Sequence, residues 1–105
     1  MNDHSAAATV PTKSASRYLQ QLCKHWSHQF AVDFTPTAGT ITFPKDARGS
    51  SFPSDATVRL TALENGLAVQ VHASASEQLE GVKAAVASHL DRVAFREAPL
   101  AFDWR

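Results

Sequence analysis

The segment from Thr57 to His72 constrains the fold more than any other, because two runs of period-two alternation meet there at Asn65-Gly66. Asn-Gly readily takes positive φ at both central positions of a two-residue hairpin turn. With Asn65 and Gly66 as those central residues, Ala62 faces Val69 and Leu60 faces Val71. These four apolar residues also share one side by alternation, so turn chemistry and hydrophobic pattern agree on a hairpin. Arg59, Thr61, Gln70 and His72 then point the other way, which predicts a sheet with one wet face.

Helical periodicity appears on both sides of the strand-rich middle. Ala15, Leu19, Leu22, Cys23, Trp26 and Phe30 form one stripe at about 100° per residue, with Ser14 or Ser16 placed to cap it. Ser74-Ala75-Ser76-Glu77 reads as a capping box opening a second helix with the stripe Leu79, Val82, Val86, Leu90 and Val93. Pro99 forbids its continuation. Ala6 to Val10 reads as a strand near a sheet edge, because Pro11 cannot donate to a ladder. Val32 and Phe34, then Ile41 and Phe43, alternate around the turn Pro36-Thr37-Ala38-Gly39 and predict a second hairpin. Pro44 to Ala56 is the longest irregular stretch, and Leu100, Phe102 and Trp104 alternate as a last strand. The expected architecture is α+β, a mostly antiparallel sheet with two helices on one face, in the order β-α-β-β-β-β-α-β. Residues 1–5 are expected to be disordered, and residues 6–105 to form one domain.

Charge and cysteine content narrow the function classes. Ten Lys and Arg balance ten Asp and Glu, so the global basic excess that drives nucleic-acid binding is missing. No nucleic-acid partner is expected, and near-zero net charge leaves self-association as a homodimer open. Cys23 is the one cysteine and cannot form an intrachain disulfide. Met1 to Ser5 lacks a signal-peptide pattern, and no apolar stretch approaches the ~20 residues of a membrane-spanning helix. The expected location is the cytoplasm, away from the membrane.

Chemistry-bearing residues concentrate on the two helices. His25 and His28 have the i, i+3 spacing that can hold a transition metal. On a continued helix, however, they fall about 110° and 170° from the core direction, so His28 points mostly to water. Surface placement or helix capping competes with metal binding for this pair. His89 lies about 60° from the centre of the second stripe, with Arg92 and Arg96 following on the same edge. Tyr18 and His25 share the matching edge of the first helix. Side-by-side helices would gather Tyr18, His25, His89, Arg92 and Arg96 along a basic seam suited to a small anion. In the competing reading these side chains shield the core edges and pair with Glu97, Asp91 or backbone carbonyls. Arg48-Gly49-Ser50-Ser51 offers a further anion contact or a solvated loop. No catalytic residues are assigned: Cys23 lies in the core stripe, and there is no phosphate-binding glycine loop, paired CxxC or nucleophile elbow.

Two long motifs then carry a family resemblance. They are Arg17-Tyr18-Leu19-Gln20-Gln21-Leu22-Cys23-Lys24-His25-Trp26-Ser27-His28 and Ser88-His89-Leu90-Asp91-Arg92-Val93-Ala94-Phe95-Arg96-Glu97, the latter followed by Trp104. Together with Ile41-Thr42-Phe43-Pro44, they make the chain resemble the bacterial family catalogued as domain of unknown function 2218. The resemblance covers essentially the whole chain, although Lys45 to Thr57 is longer and more polar than the short turn usual in the family. It implies a small stand-alone domain without an established activity. It also implies a link to siderophore-interacting flavin proteins, and so to iron acquisition.

Three functional expectations follow. The first is a non-catalytic binding module holding a small anionic ligand on Tyr18, His25, His89, Arg92 and Arg96. The second is a metal protein or metal-dependent enzyme using His25, His28 and His89. The third is a homodimer joined through the free sheet face or an edge strand. No cofactor is specified by any motif.

Overall fold

The structure, a computed structural model, describes residues 4–46, 51–98 and 100–105. Strand β1 spans His4–Pro11, helix α1 Ala15–Trp26, β2 Ala31–Phe34, β3 Ala38–Phe43, β4 Ala56–Leu63, β5 Gly66–Ala73 and helix α2 Ser76–Val93. The strands form one antiparallel sheet in the order β1-β5-β4-β3-β2. This is the expected α+β architecture. Pro11 ends β1 on the sheet edge, where a missing N–H costs no ladder bond. β1 begins at His4, which pairs with Ala73, two residues before the expected strand start at Ala6.

Alternation decides which face is buried. One row across the sheet runs Ala8, Val69, Leu60, Gly39, Phe34, and a second runs Ala6, Val71, Val58, Ile41, Val32. Both helices lie on this face, α1 over β2, β3 and β4, and α2 over β5 and β1. Leu19, Leu22, Cys23 and Trp26 of α1 and Val82, Val86 and Leu90 of α2 are buried against it. The opposite row, Ala7, Gln70, Arg59, Thr40, Asp33, is mostly polar, and no helix of the described residues covers it.

The β4–β5 hairpin forms in a register two residues from the expected one. Leu63 pairs with Gly66 and Leu60 with Val69, so Glu64 and Asn65 make the turn. A slip of two keeps every side chain on its face, which is why the pattern could not reveal it. Gly66 is not in the left-handed region, and its small size serves another purpose. β1 pairs Pro11 with Gly66, and a Cβ there would lie 3.1 Å from the Val10 carbonyl oxygen and 3.2 Å from Thr9 Cγ2. The approach of β1 draws the glycine into the strand.

Both predicted caps take other roles. Ser14 makes no side-chain cap, while Ser16 donates its hydroxyl to the Pro36 carbonyl and ties α1 to the β2–β3 turn. At α2 the helix starts at Ser76, and Gln78, not Glu77, reaches back. Its Oε1 accepts from the Ser74 N–H and hydroxyl at 2.7 Å each, and its Nε2 donates to the Ser54 carbonyl at 2.9 Å. Gln78 wins because it is buried and can pair with the β4-side loop as well as its own helix start.

The final segment, residues 100–105, exchanges two backbone hydrogen bonds between Arg105 and Ala7 at 2.8 and 2.9 Å, on the outer side of β1. It meets the sheet there without a longer ladder. Leu100, Phe102 and Trp104 pack against the core, with Trp104 stacked on Phe102 and under the Lys83 ammonium. Pro99, the expected helix stop, lies outside the described residues, as do Met1 to Asp3.

Candidate functional site

Side-by-side packing of α1 and α2 brings part of the predicted seam together. The His25 and His89 rings meet with centroids 5.4 Å apart, and His89 also lies 4.8 Å from the Trp26 ring. His89 Nδ1 is 2.8 Å from the Ala85 carbonyl oxygen, one turn back on its own helix. A carbonyl only accepts, so Nδ1 carries the proton and Nε2 is left as the ring's other functional atom. His25 is exposed and His89 half-buried.

The other predicted seam residues are engaged elsewhere or face water. Tyr18 is buried, 7% exposed, and its hydroxyl donates to the Glu97 carboxylate. Thr12, also buried, donates its hydroxyl to the same carboxylate at 3.0 and 3.2 Å and accepts from the Ser14 N–H. The carboxylate beside Tyr18, with burial second, raises its phenol above the ordinary value. Arg96 lies over the exposed Phe95 ring at 5.6 Å, and Arg92 is exposed in the last turn of α2. Neither expected carboxylate partner takes an arginine side chain: Glu97 serves Tyr18 and Thr12, and Asp91 accepts from the Leu100 N–H at 2.9 Å. The seam therefore gathers two histidines, with Tyr18 tied to a carboxylate of its own chain.

The metal reading meets a geometric obstacle at His28. α1 ends at Trp26, so His28 lies in the following turn, exposed, and the helical i, i+3 spacing no longer relates it to His25. Among the described residues, no three His, Cys, Asp or Glu side chains stand close enough together to hold a metal ion. Cys23 is fully buried, and burial pushes its thiol up to about 11, which makes it inert at neutral pH. Arg48, Gly49 and Ser50 lie outside the described residues.

A cleft that the sequence reading did not single out opens beside His89, between the first half of α2 and the far end of β3. Its volume is about 300 Å³, the low end of small-molecule sites. Trp26, Phe30, Phe43 and Phe52 line it, with Pro44 between the strand and the loop. Trp26 stands nearly perpendicular to Phe43, at 79° with centroids 5.0 Å apart, and at 62° to Phe30. The α2 wall consists of Glu77, Gln78, Gly81, Val82 and Ala85, and among the described residues Glu77 carries the one charge in the lining. Gln78 has both ends of its amide engaged within the chain, and Glu77 supplies an exposed carboxylate.

Gly81 gives this wall its shape. A Cβ built there meets nothing within 4 Å, so no packing contact requires glycine. A helix-interior glycine costs roughly 1 kcal/mol against alanine. The signal was present in the sequence, as a glycine inside a strongly periodic helical run, but only the fold shows that it opens onto aromatic rings.

Comparison with known proteins places this geometry in a family. The profile of an uncharacterized protein conserved in bacteria (DUF2218) matches residues 7–105. The chain belongs to that family. A solved relative, the NMR structure of PA4090 from Pseudomonas aeruginosa, is 30% identical, with 96% of this chain and 94% of that one covered, and superposes with a TM-score of 0.74. No curated protein matches this chain. Among the described residues of this DUF2218 member, no helix is long and apolar enough to cross a membrane.

Proposed function

We propose that this domain is a non-catalytic binding module, and that the aromatic cleft between α2 and the end of β3 is its ligand seat. The observation that carries the reading is Gly81, a helix-interior glycine crowded by nothing and placed on the wall of a 300 Å³ cleft. A residue that weakens its helix and relieves no clash is best explained by the space it keeps open. The rigid parts around it suit a binding role, because Trp26 and Phe43 are buried and locked against each other.

The test is a fragment library screened by ¹H–¹⁵N correlation spectra. Fragments are expected to shift the Trp26 indole and the Gly81 amide, and Gly81→Leu is expected to abolish those shifts without lowering the melting temperature. Hits that persist unchanged in Gly81→Leu would place the seat elsewhere.

The anion-binding alternative now rests on the meeting of His25 and His89, which can present two donors to one anion once protonated. His89→Ala should then remove the thermal shift produced by a phosphate or carboxylate probe at pH 6.

A further inference from the structure

Within the cleft proposed above as a ligand seat, we infer that the ligand is an organic cation, an amine or alkylammonium group on an apolar body, held by the aromatic corner and the Glu77 carboxylate. The inference rests on that reading of the cleft and adds the chemical class of the occupant.

Three features select the class. First, four of the described lining residues are aromatic, and Trp26 stands steeply to both Phe43 and Phe30, which lie at 36° to each other. Trp26 and Phe43 are buried and back the site, while the partly exposed Phe30 and Phe52 offer aromatic surface, whose negative π-face attracts an ammonium. Second, the one charged group among the described lining residues is a carboxylate. An anionic ligand would meet Glu77 as a like charge, whereas a cation gains an ion pair in a partly dry site. Third, the other polar side chains among the described lining residues are uncharged, the Gln78 amide committed to Ser74 and Ser54 and the Trp26 indole a single neutral N–H, so none of them brings a positive charge to an anion.

One effect opposes the inference. Glu77 sits in the first turn of α2, where the helix dipole places about half a positive charge. That partial charge is spread over several N–H groups, and the full carboxylate charge of Glu77 exceeds it.

Three probes share one ring and differ in charge: benzylamine, benzyl alcohol and benzoate. Titrated into the full chain and followed on the Trp26 indole and Gly81 amide signals, they are expected to bind in that order. Benzylamine should bind about tenfold more tightly than benzyl alcohol, the scale of one cation–π contact and one partly exposed ion pair together. Glu77→Gln changes an exposed side chain and is expected to erase most of that preference while leaving benzyl alcohol binding unchanged. Equal binding of amine and alcohol, tighter binding of benzoate, or an amine preference that survives Glu77→Gln would overturn the cation assignment and leave the cleft standing. If none of the three probes moves the Gly81 amide, or all bind Gly81→Leu as well as wild type, the cleft reading fails and takes the cation assignment with it.

Discussion

The same substitution, glycine to alanine, is expected to change stability in opposite directions at two positions of this fold. At Gly81 the added methyl enters open space, so the helix-propensity gain of about 1 kcal/mol comes through almost whole. For a domain of this size that gain raises the melting temperature by roughly 4–8 °C. At Gly39 the methyl would sit 2.8 Å from Cys23 Sγ and 3.2 Å from Phe34 Cβ. The sulfur contact is about 0.6 Å short of an ordinary van der Waals approach, taken as 3.4 Å. Cys23 and its neighbour Leu19 are fully buried, so the sulfur has little room to turn away. Overpacking of this kind costs about 1–3 kcal/mol, against about 0.5–1 kcal/mol gained by removing glycine from a strand. The expected net effect of Gly39→Ala is a loss of about 1–2 kcal/mol. Urea unfolding measures both changes, as midpoint shifts at constant slope. The mechanism has its own control, because Cys23→Ala removes the clashing atom. In the Cys23→Ala background the cost of Gly39→Ala should fall by at least about 0.5 kcal/mol, a coupling within reach of a double-mutant cycle. A Gly39→Ala variant as stable as wild type, or a penalty untouched by Cys23→Ala, would refute the close approach of α1 to β3 as the reason for this glycine.

Two further outcomes follow from the polar contacts. Tyr18 is the only tyrosine, so absorbance at 295 nm reads its ionisation alone, and its midpoint should lie above 10 in the folded protein and return toward 10 in urea. A phenol pKa raised by folding means the native state holds its proton longer, so the associated stability is complete below pH 10 and declines as pH rises through the folded value; Tyr18→Phe should lose this alkaline component. Cys23 has the same sign, with its contribution declining between pH 9 and about 11. At the start of α2, Gln78→Ala should cost about 1–3 kcal/mol by leaving the part-buried Ser74 N–H unpaired and the Ser54 carbonyl with only the Ser74 hydroxyl, whereas Glu77→Ala should cost under about 1 kcal/mol; equal costs would restore the predicted capping box.

The candidate site was only half legible before folding. Helical angles placed His25 and His89 on facing edges, and the two rings do meet. The same angles put Tyr18 and Arg96 on that seam, yet Tyr18 turns to Glu97 and Arg96 lies on Phe95. Angle on a helix fixes a direction but not the partner waiting there, and Glu97 comes from beyond the end of α2. The cleft was less legible still, because its walls come from α1, β3, the following loop and α2, segments far apart in sequence.

Local chemistry alone determined most elements: period-two and 3.6-residue patterns marked six strands and two helices, of which five strands and both helices form while residues 100–105 meet β1 without forming a strand, and Pro11 marked a sheet edge. These follow from contacts between near neighbours, which a linear reading contains. The tertiary structure decided what the glycines are for. Gly39 and Gly66 look like turn residues in the sequence, but each lies in a strand where another segment presses close, α1 at Gly39 and β1 at Gly66. Gly81 looks like a blemish in a helix, and the fold leaves it facing an empty aromatic corner. A missing side chain is a statement about space, and space is set by whichever distant segment arrives there or stays away.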